Sequence, residues 1–345
     1  MRPLTLRRLL LQCFALLAIL FVVVVIAVKF GAVPVSLYAL GRDLWNVLLH
    51  QRTNISSDYV LIIQNIRLPR ILLGMIVGAS LSLAGTSFQA LLRNPLADPY
   101  VLGVSYGASL GAILALIAES HLTLSPVLAA LLPPLGAFVG AAATITAVYF
   151  LGRREGQIDS STLLLGGVIT GSFLSAIIMF LMSTLSGSLR GVSFWLMGDL
   201  STPLQKSVYW FLSIGFIVAS GAIYTTASDL NLLLAGEKEA MHLGVDVPRV
   251  RLVVYIAASF LTGLAVSVSG AVGYIGLIVP HVMRFMFGSD HRTLLPTAAI
   301  AGAIAVVIAD TLARTVVAPT EVPVGAVTAV VGAPLFIYLL RRRLA

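Results

Sequence analysis

Charge is what this sequence has least of. Only 10% of its 345 residues are Asp, Glu, Lys or Arg, against about a quarter in soluble globular domains. With a mean hydropathy of +1.01, that excludes a water-soluble fold. A single cysteine, Cys13, lies inside the first apolar run, so no disulfide or thiolate metal framework can form within the chain. Lysine is nearly absent: Lys29, Lys206 and Lys238 are the three, and none follows a glycine. Phosphate-cradling loops of the common ATPase type need a lysine after glycine, so ATP hydrolysis by that route is excluded. The five histidines, His50, His121, His242, His281 and His291, are scattered without an HExxH pair, which leaves no zinc site on one helix. No metal or cofactor is expected on the chain itself.

What is present is apolar length. A bilayer-crossing helix needs roughly 20 mainly apolar residues, because its backbone groups must pair within the segment. Ten runs qualify: 9–30, 71–92, 100–118, 125–151, 162–185, 207–226, 252–269, 271–288, 294–316 and 324–340. The first is longer than the apolar core of a secretion signal and lacks a small-residue cleavage site, so it reads as a retained span. The net charge of +8 sits in short clusters beside apolar runs, as orientation signals do rather than nucleic-acid patches. Arg2, Arg7 and Arg8 at one end and Arg341, Arg342 and Arg343 at the other put both termini on the cytoplasmic side. The sequence therefore predicts an all-α integral membrane protein of about ten spans, a single domain over 1–345.

Glycines recur at four-residue spacing, at Gly74 and Gly78, Gly103, Gly107 and Gly111, and Gly136 and Gly140. In lipid, close backbone approach through such faces is what lets helices pack. In SGAVGYIGLIVPH (269–281), three glycines and Pro280 predict a broken or kinked helix. NPLADP (94–99) cannot be regular helix, since two prolines interrupt it. Between two long spans lies the polar stretch LLLAGEKEAMHLGVDVPRVR (232–251). Asp229 or Asn231 can cap a first short helix through Glu237, Lys238, Ala240 and Met241. Gly244 suits its left-handed stop, and Asp246 with Pro248 suits the start of a second short helix. Leu233, Ala240, Met241 and Leu243 supply apolar contacts, while Glu237 and Lys238 stay wet.

These blocks resemble the permeases of the FecCD family, the membrane subunits of ABC importers for iron–siderophore, haem and cobalamin. NIRLPRILLGMIVGASLSLAGTSFQALLRNPLADPYVLGVSYGASLGA (65–112) is similar to the family's longest signature, GAVGYIGLIVPHVMRFMFGSDHRTLLP (270–296) to its second, and EVPVGAVTAVVGAPLFIYLL (321–340) to its final span. The resemblance implies a cobalamin-permease-like bundle in the bacterial cytoplasmic membrane. It also implies a second copy of the chain, two cytoplasmic ATPase subunits that bind ATP and magnesium, and a soluble substrate-binding protein outside. The stretch of about 229–250 would be the coupling helices, with Glu237, Lys238, Ala240, Met241, Leu243, Gly244 and Val245 meeting the ATPase. Arg67, Arg70 and Arg314 would contact acidic residues of the binding protein. Asn94 and Leu96, with Ser160 and Ser161, would form the cytoplasmic constriction. The competing reading is an ion-coupled secondary transporter in which Asp310, an intramembrane carboxylate, carries the proton.

Overall fold

The computed structural model describes residues 6–31, 61–154, 157–158, 160–184, 196–202 and 204–344. Twelve α-helices follow one another among these residues: α1 (Leu6–Lys29), α2 (Leu68–Leu91), α3 (Val104–His121), α4 (Pro126–Gly152), α5 (Ser160–Thr184), α6 (Lys206–Thr225), α7 (Ala227–Ala235), α8 (Glu237–His242), α9 (Val247–Ser269), α10 (Ile275–Phe287), α11 (His291–Thr315) and α12 (Val324–Leu344). A π-helical turn, Ile63–Arg67, leads into α2, and a 3₁₀ turn, Pro99–Leu102, leads into α3. The fold is all-α but for a two-residue antiparallel pairing, Arg153 with Ile158 and Arg154 with Gln157, between α4 and α5.

Each of the ten apolar runs falls on a helix, and seven of the helices are long and apolar enough to cross a bilayer. The other three runs lie on shorter apolar stretches, in α3, α12 and α10, of which α10 is the shortest. Its 13 residues extend roughly 20 Å at about 1.5 Å per residue, short of a hydrocarbon layer of about 30 Å. The expected interruption is therefore a true break. α9 ends at Ser269, Gly270 and Tyr274 both take positive φ (62° and 68°), and α10 starts afresh at Ile275.

The centre of the bundle is α2, in which every residue from 76 to 91 is buried. Four interior hydroxyls there would be costly in lipid. Thr86 and Ser87 donate to the carbonyls of Ser82 and Leu83, one turn back. Glycine lets neighbours close on this axis. A Cβ on Gly78 would strike the Gly302 carbonyl of α11, and one on Gly85 the Gly276 carbonyl of α10. The spaced glycines of α3 and α4 meet in antiparallel pairs, Gly107 with Gly140 and Gly111 with Gly136. Gly74 is different, since a Cβ there would find only ordinary contacts at 3.7 Å. Around this core α1, α4, α5 and α6 present mostly exposed apolar faces.

Replacing Gly78 by Val should wedge α2 from α11 and lower the thermal midpoint of the purified protein by several degrees, the overpacking cost being about 1–3 kcal/mol. Gly74→Ala should leave it within a degree. Equal behaviour of the two variants in a detergent melting assay would refute the packing described.

Candidate functional site

Three clusters gather the candidate residues. The first lies between α6 and α9. α7 stops at Ala235, Gly236 takes φ 147°, and the Glu239 carboxylate folds back into the space a Gly236 side chain would fill. α8 then runs six residues and ends in a Schellman motif. The amide of Val245 donates to the Ala240 carbonyl and that of Gly244 to the Met241 carbonyl, with Gly244 at φ 87°. Asp246 caps the next helix, accepting from the Arg249 amide at 3.2 Å, and Pro248 sits in its first turn.

The stop and the cap are where the sequence predicts them, but the second short helix is in fact the start of the long span α9. Nor does Asn231 cap α8. It lies inside α7, where its amide donates to Asp290 at 2.8 Å and its oxygen accepts from the His291 amide at 2.9 Å. The hairpin is thereby fastened to the head of α11. Asp290 is held down to about 2, chiefly by its hydrogen bonds from Arg292, so it stays ionised at neutral pH.

On this hairpin Ala240 and Val245 are buried with Leu233. Met241 and Leu243 are exposed at 52% and 66%, beside exposed Leu234 and Lys238. Glu237 turns inward to ion pairs with Arg251 and Arg93. The hairpin thus has a bonded inner side and an uncovered apolar tip.

The second cluster is the loop after α2. Asn94 makes an Asx turn, accepting from the Leu96 amide at 2.9 Å, and Leu96 is 43% exposed. Asp98 caps the 3₁₀ turn through the Tyr100 amide at 2.8 Å, and enclosure by protein pushes its carboxyl up to about 6. The loop does not stay at the surface. Pro99 packs on Gly276, and the Tyr100 hydroxyl accepts from the Val272 amide at 2.9 Å, covering the break before α10. Gln89 adds a bond to the Gly276 carbonyl and takes one from Arg284 at 3.0 Å. Ser161 is exposed at the start of α5, and of Ser160 only its place as the first residue of that helix is described. α5 meets the loop further along, Gly167 lying against Val101 and Leu102.

The third cluster, at the other end of α2, holds Arg67, Arg70 and Arg314. Sequence reasoning turns these cations outward to a docking protein. In the structure they are 4%, 7% and 4% exposed and face inward. Arg70 donates from Nε to Asp310 and from Nη1 to Glu321, each at 2.8 Å. Asp310 also faces Arg314 Nε at 3.0 Å. Arg67 bonds the carbonyls of Val28 and Lys29, and Arg314 reaches those of Ala27 and Phe30 at 3.4 Å. The last carbonyls of a helix have no partners within it and carry its negative dipole end. Two guanidiniums supply both needs for α1. Glu321, 38% exposed, is the one carboxylate of this network that reaches solvent. No local pattern marks it, because its partner Arg70 is 251 positions away. Beside Arg70, between the start of α2 and α6, opens a cavity of about 880 Å³ whose other polar lining includes Asn65 and Lys206. Its exposed lining is mostly apolar.

The proton-carrying reading finds no support in this geometry, and a serine-hydrolase site is not formed either. Asp310 is 2% exposed and ion-paired with both Arg70 and Arg314, the setting of a structural ion cluster. GVSYG (103–107) and GASLG (107–111) have the spacing of a hydrolase nucleophile elbow, but Ser105 and Ser109 are buried within α3 with no strand before them, and such an elbow is a strand-to-helix turn. Among the described residues no cluster of His, Cys, Asp or Glu could hold a metal.

The model of the FecCD transport family matches residues 17–342. The hemin transport system permease protein HmuU of Yersinia pestis is 39% identical, the match covering 95% of this chain and 94% of that one. The cobalamin import system permease protein BtuC of Halobacterium salinarum is 43% identical over 82% of this chain and 74% of its own length. Among solved structures, a metal-chelate type ABC transporter in an inward-facing conformation superposes with a TM-score of 0.79 at 29% identity, covering 96% of this chain and 99% of that one.

Removing one member of a buried ion cluster strands the others. Asp310→Ala should therefore cost on the order of 3 kcal/mol, read as a lower thermal midpoint of the purified protein, and an unchanged midpoint would show that the cluster holds nothing together.

Proposed function

The chain belongs to the FecCD transport family, and from that premise we propose that it is the permease of an ABC importer that brings a metal chelate of the iron–siderophore, haem or cobalamin kind across the bacterial cytoplasmic membrane. Two copies enclose the pathway, with both termini of each in the cytoplasm. Two ATPase subunits bind ATP and magnesium beneath them, and a soluble protein delivers the substrate from outside.

The uncovered tip of α8 carries this reading. Met241 and Leu243 project from a helix fixed on its other side by Ala240, Val245 and Asn231. Exposed apolar side chains on a rigid mount are what a cleft in a partner can grip. Lys238 and Glu239 at the rim add polar register, and the Gly244 stop keeps α8 from running into α9. When the ATPases close on nucleotide they pull two such tips together, which favours one arrangement of the bundle over another.

Inside, the loop of Asn94 and Leu96, with Ser160 and Ser161 at the head of α5, narrows the path. Outside, Arg67, Arg70 and Arg314 hold the ends of α1, α2 and α11 in register, and that frame receives the binding protein, with Glu321 as its solvent-reaching charge. The apolar character of the cavity at Arg70 supports a pathway that leaves substrate selection to the binding protein. The named relatives carry compounds as different as hemin and cobalamin, in keeping with that division of labour.

Met241→Glu combined with Leu243→Glu should abolish the apolar grip. Burial of two such side chains is worth about 1.5–3 kcal/mol each, so co-purification of the ATPase should fall at least tenfold while the permease melts as before. Undiminished co-purification would overturn the assignment of the tip.

A further inference from the structure

α2 and α8 end alike. At the end of α2 the Asn94 amide donates to the Gln89 carbonyl at 3.1 Å and the Arg93 amide to the Ala90 carbonyl at 3.3 Å, the same Schellman pattern that closes α8. Where α8 places Gly244, α2 places Arg93, at φ 48°. A residue with a β-carbon is strained there and glycine is not. The backbone gains nothing from arginine at this position, so what the residue contributes is its guanidinium. That group lies 3.5 Å from Glu237, the first residue of α8.

The same Glu237 oxygen is bonded by Arg251 of α9. The two cations differ in setting. The Arg251 side chain is 11% exposed and Arg93's is 40%. Arg251 is thus the fixed pin, and Arg93 makes the looser, wetter contact. Exposed pairs of this kind shift an equilibrium by only a few-fold, the right scale for a contact remade in every cycle. Apolar packing runs beside it, since Leu92 and Ala97 of the loop share one buried core with Ala240 and Val245 of the hairpin. Packing holds the two segments together without direction; the ion pair sets where one sits on the other.

We propose that Arg93 is a positioning residue for transport, whose contact with Glu237 makes the inner loop at Asn94 and Leu96 follow the movement of the coupling hairpin. This rests on reading the hairpin as the ATPase-facing element. The loop in turn reaches the break before α10 through Tyr100 and Val272, so a displacement entering at Glu237 arrives at two irregular segments of the bundle.

The test uses the full complex of permease and cognate ATPase in proteoliposomes, with Cys13→Ser and Leu96→Cys introduced as a reporter. The probe is the rate of labelling by a water-soluble maleimide, without nucleotide and with ATP trapped. With Arg93 in place, trapping ATP should change the rate. Arg93→Gly should reduce that change by roughly threefold while melting no earlier than the parent, because glycine suits the backbone. Arg93→Lys should retain most of the change. A full response in Arg93→Gly, an Arg93→Lys response as poor as that of Arg93→Gly, or no response in the parent despite ATP hydrolysis would each overturn the proposal. Failure of the ATPase to bind the permease at all would instead overturn the reading of the hairpin.

Discussion

A backbone amide or carbonyl left without a partner in hydrocarbon costs several kcal/mol. Where the helix stops within the bundle another group has to supply the bond, and at three such places among the described residues that group is distant in sequence. The Val272 amide, in the break before α10, is taken by the phenol of Tyr100. The Ser269 carbonyl, at the end of α9, is taken by the Asp199 amide. The closing carbonyls of α1 are taken by Arg67 and Arg314. These three irregularities are thus pinned to remote elements.

That constraint gives the molecule its mechanical character. α2 is a rigid axis closed on by α10 and α11 through bare glycine backbone. At one end it carries the Arg70–Asp310–Glu321 network. At the other it ends in Arg93, beside the hairpin. The hairpin shows two faces of the same logic. Its inner side is bonded and packed to α11, α9 and the loop after α2, while its apolar tip at Met241 and Leu243 stays exposed among the described residues. A rigid body with one unsaturated tip is suited to receive force from a separate subunit.

The spans were legible in the sequence because the bilayer imposes a length and a hydropathy that one run of residues can display unaided. The Gly244 stop and the Asp246 cap were legible for a similar reason, since their hydrogen bonds close within five residues. The orientation of Arg67, Arg70 and Arg314 was not. A cation near a span end looks the same in sequence whether it faces water or a carboxylate 240 positions away. Asn231 misled in the same way, because as an isolated letter it suits a cap, yet its partners lie about 60 residues on, at the head of α11. The length of α10 was overestimated because GAVGY is apolar enough to extend a hydropathy window, although the positive φ at Gly270 and Tyr274 ends the helix there.

The central claim is that the tip of α8 is held by a nucleotide-driven partner. A photoreactive amino acid placed at position 243 in cells tests it most directly, because the adduct reports what touches the tip in the native membrane. The account predicts a crosslink to a cytoplasmic ATPase subunit, with a yield that changes when ATP is trapped. Adducts with lipid alone, in every nucleotide state, would contradict it.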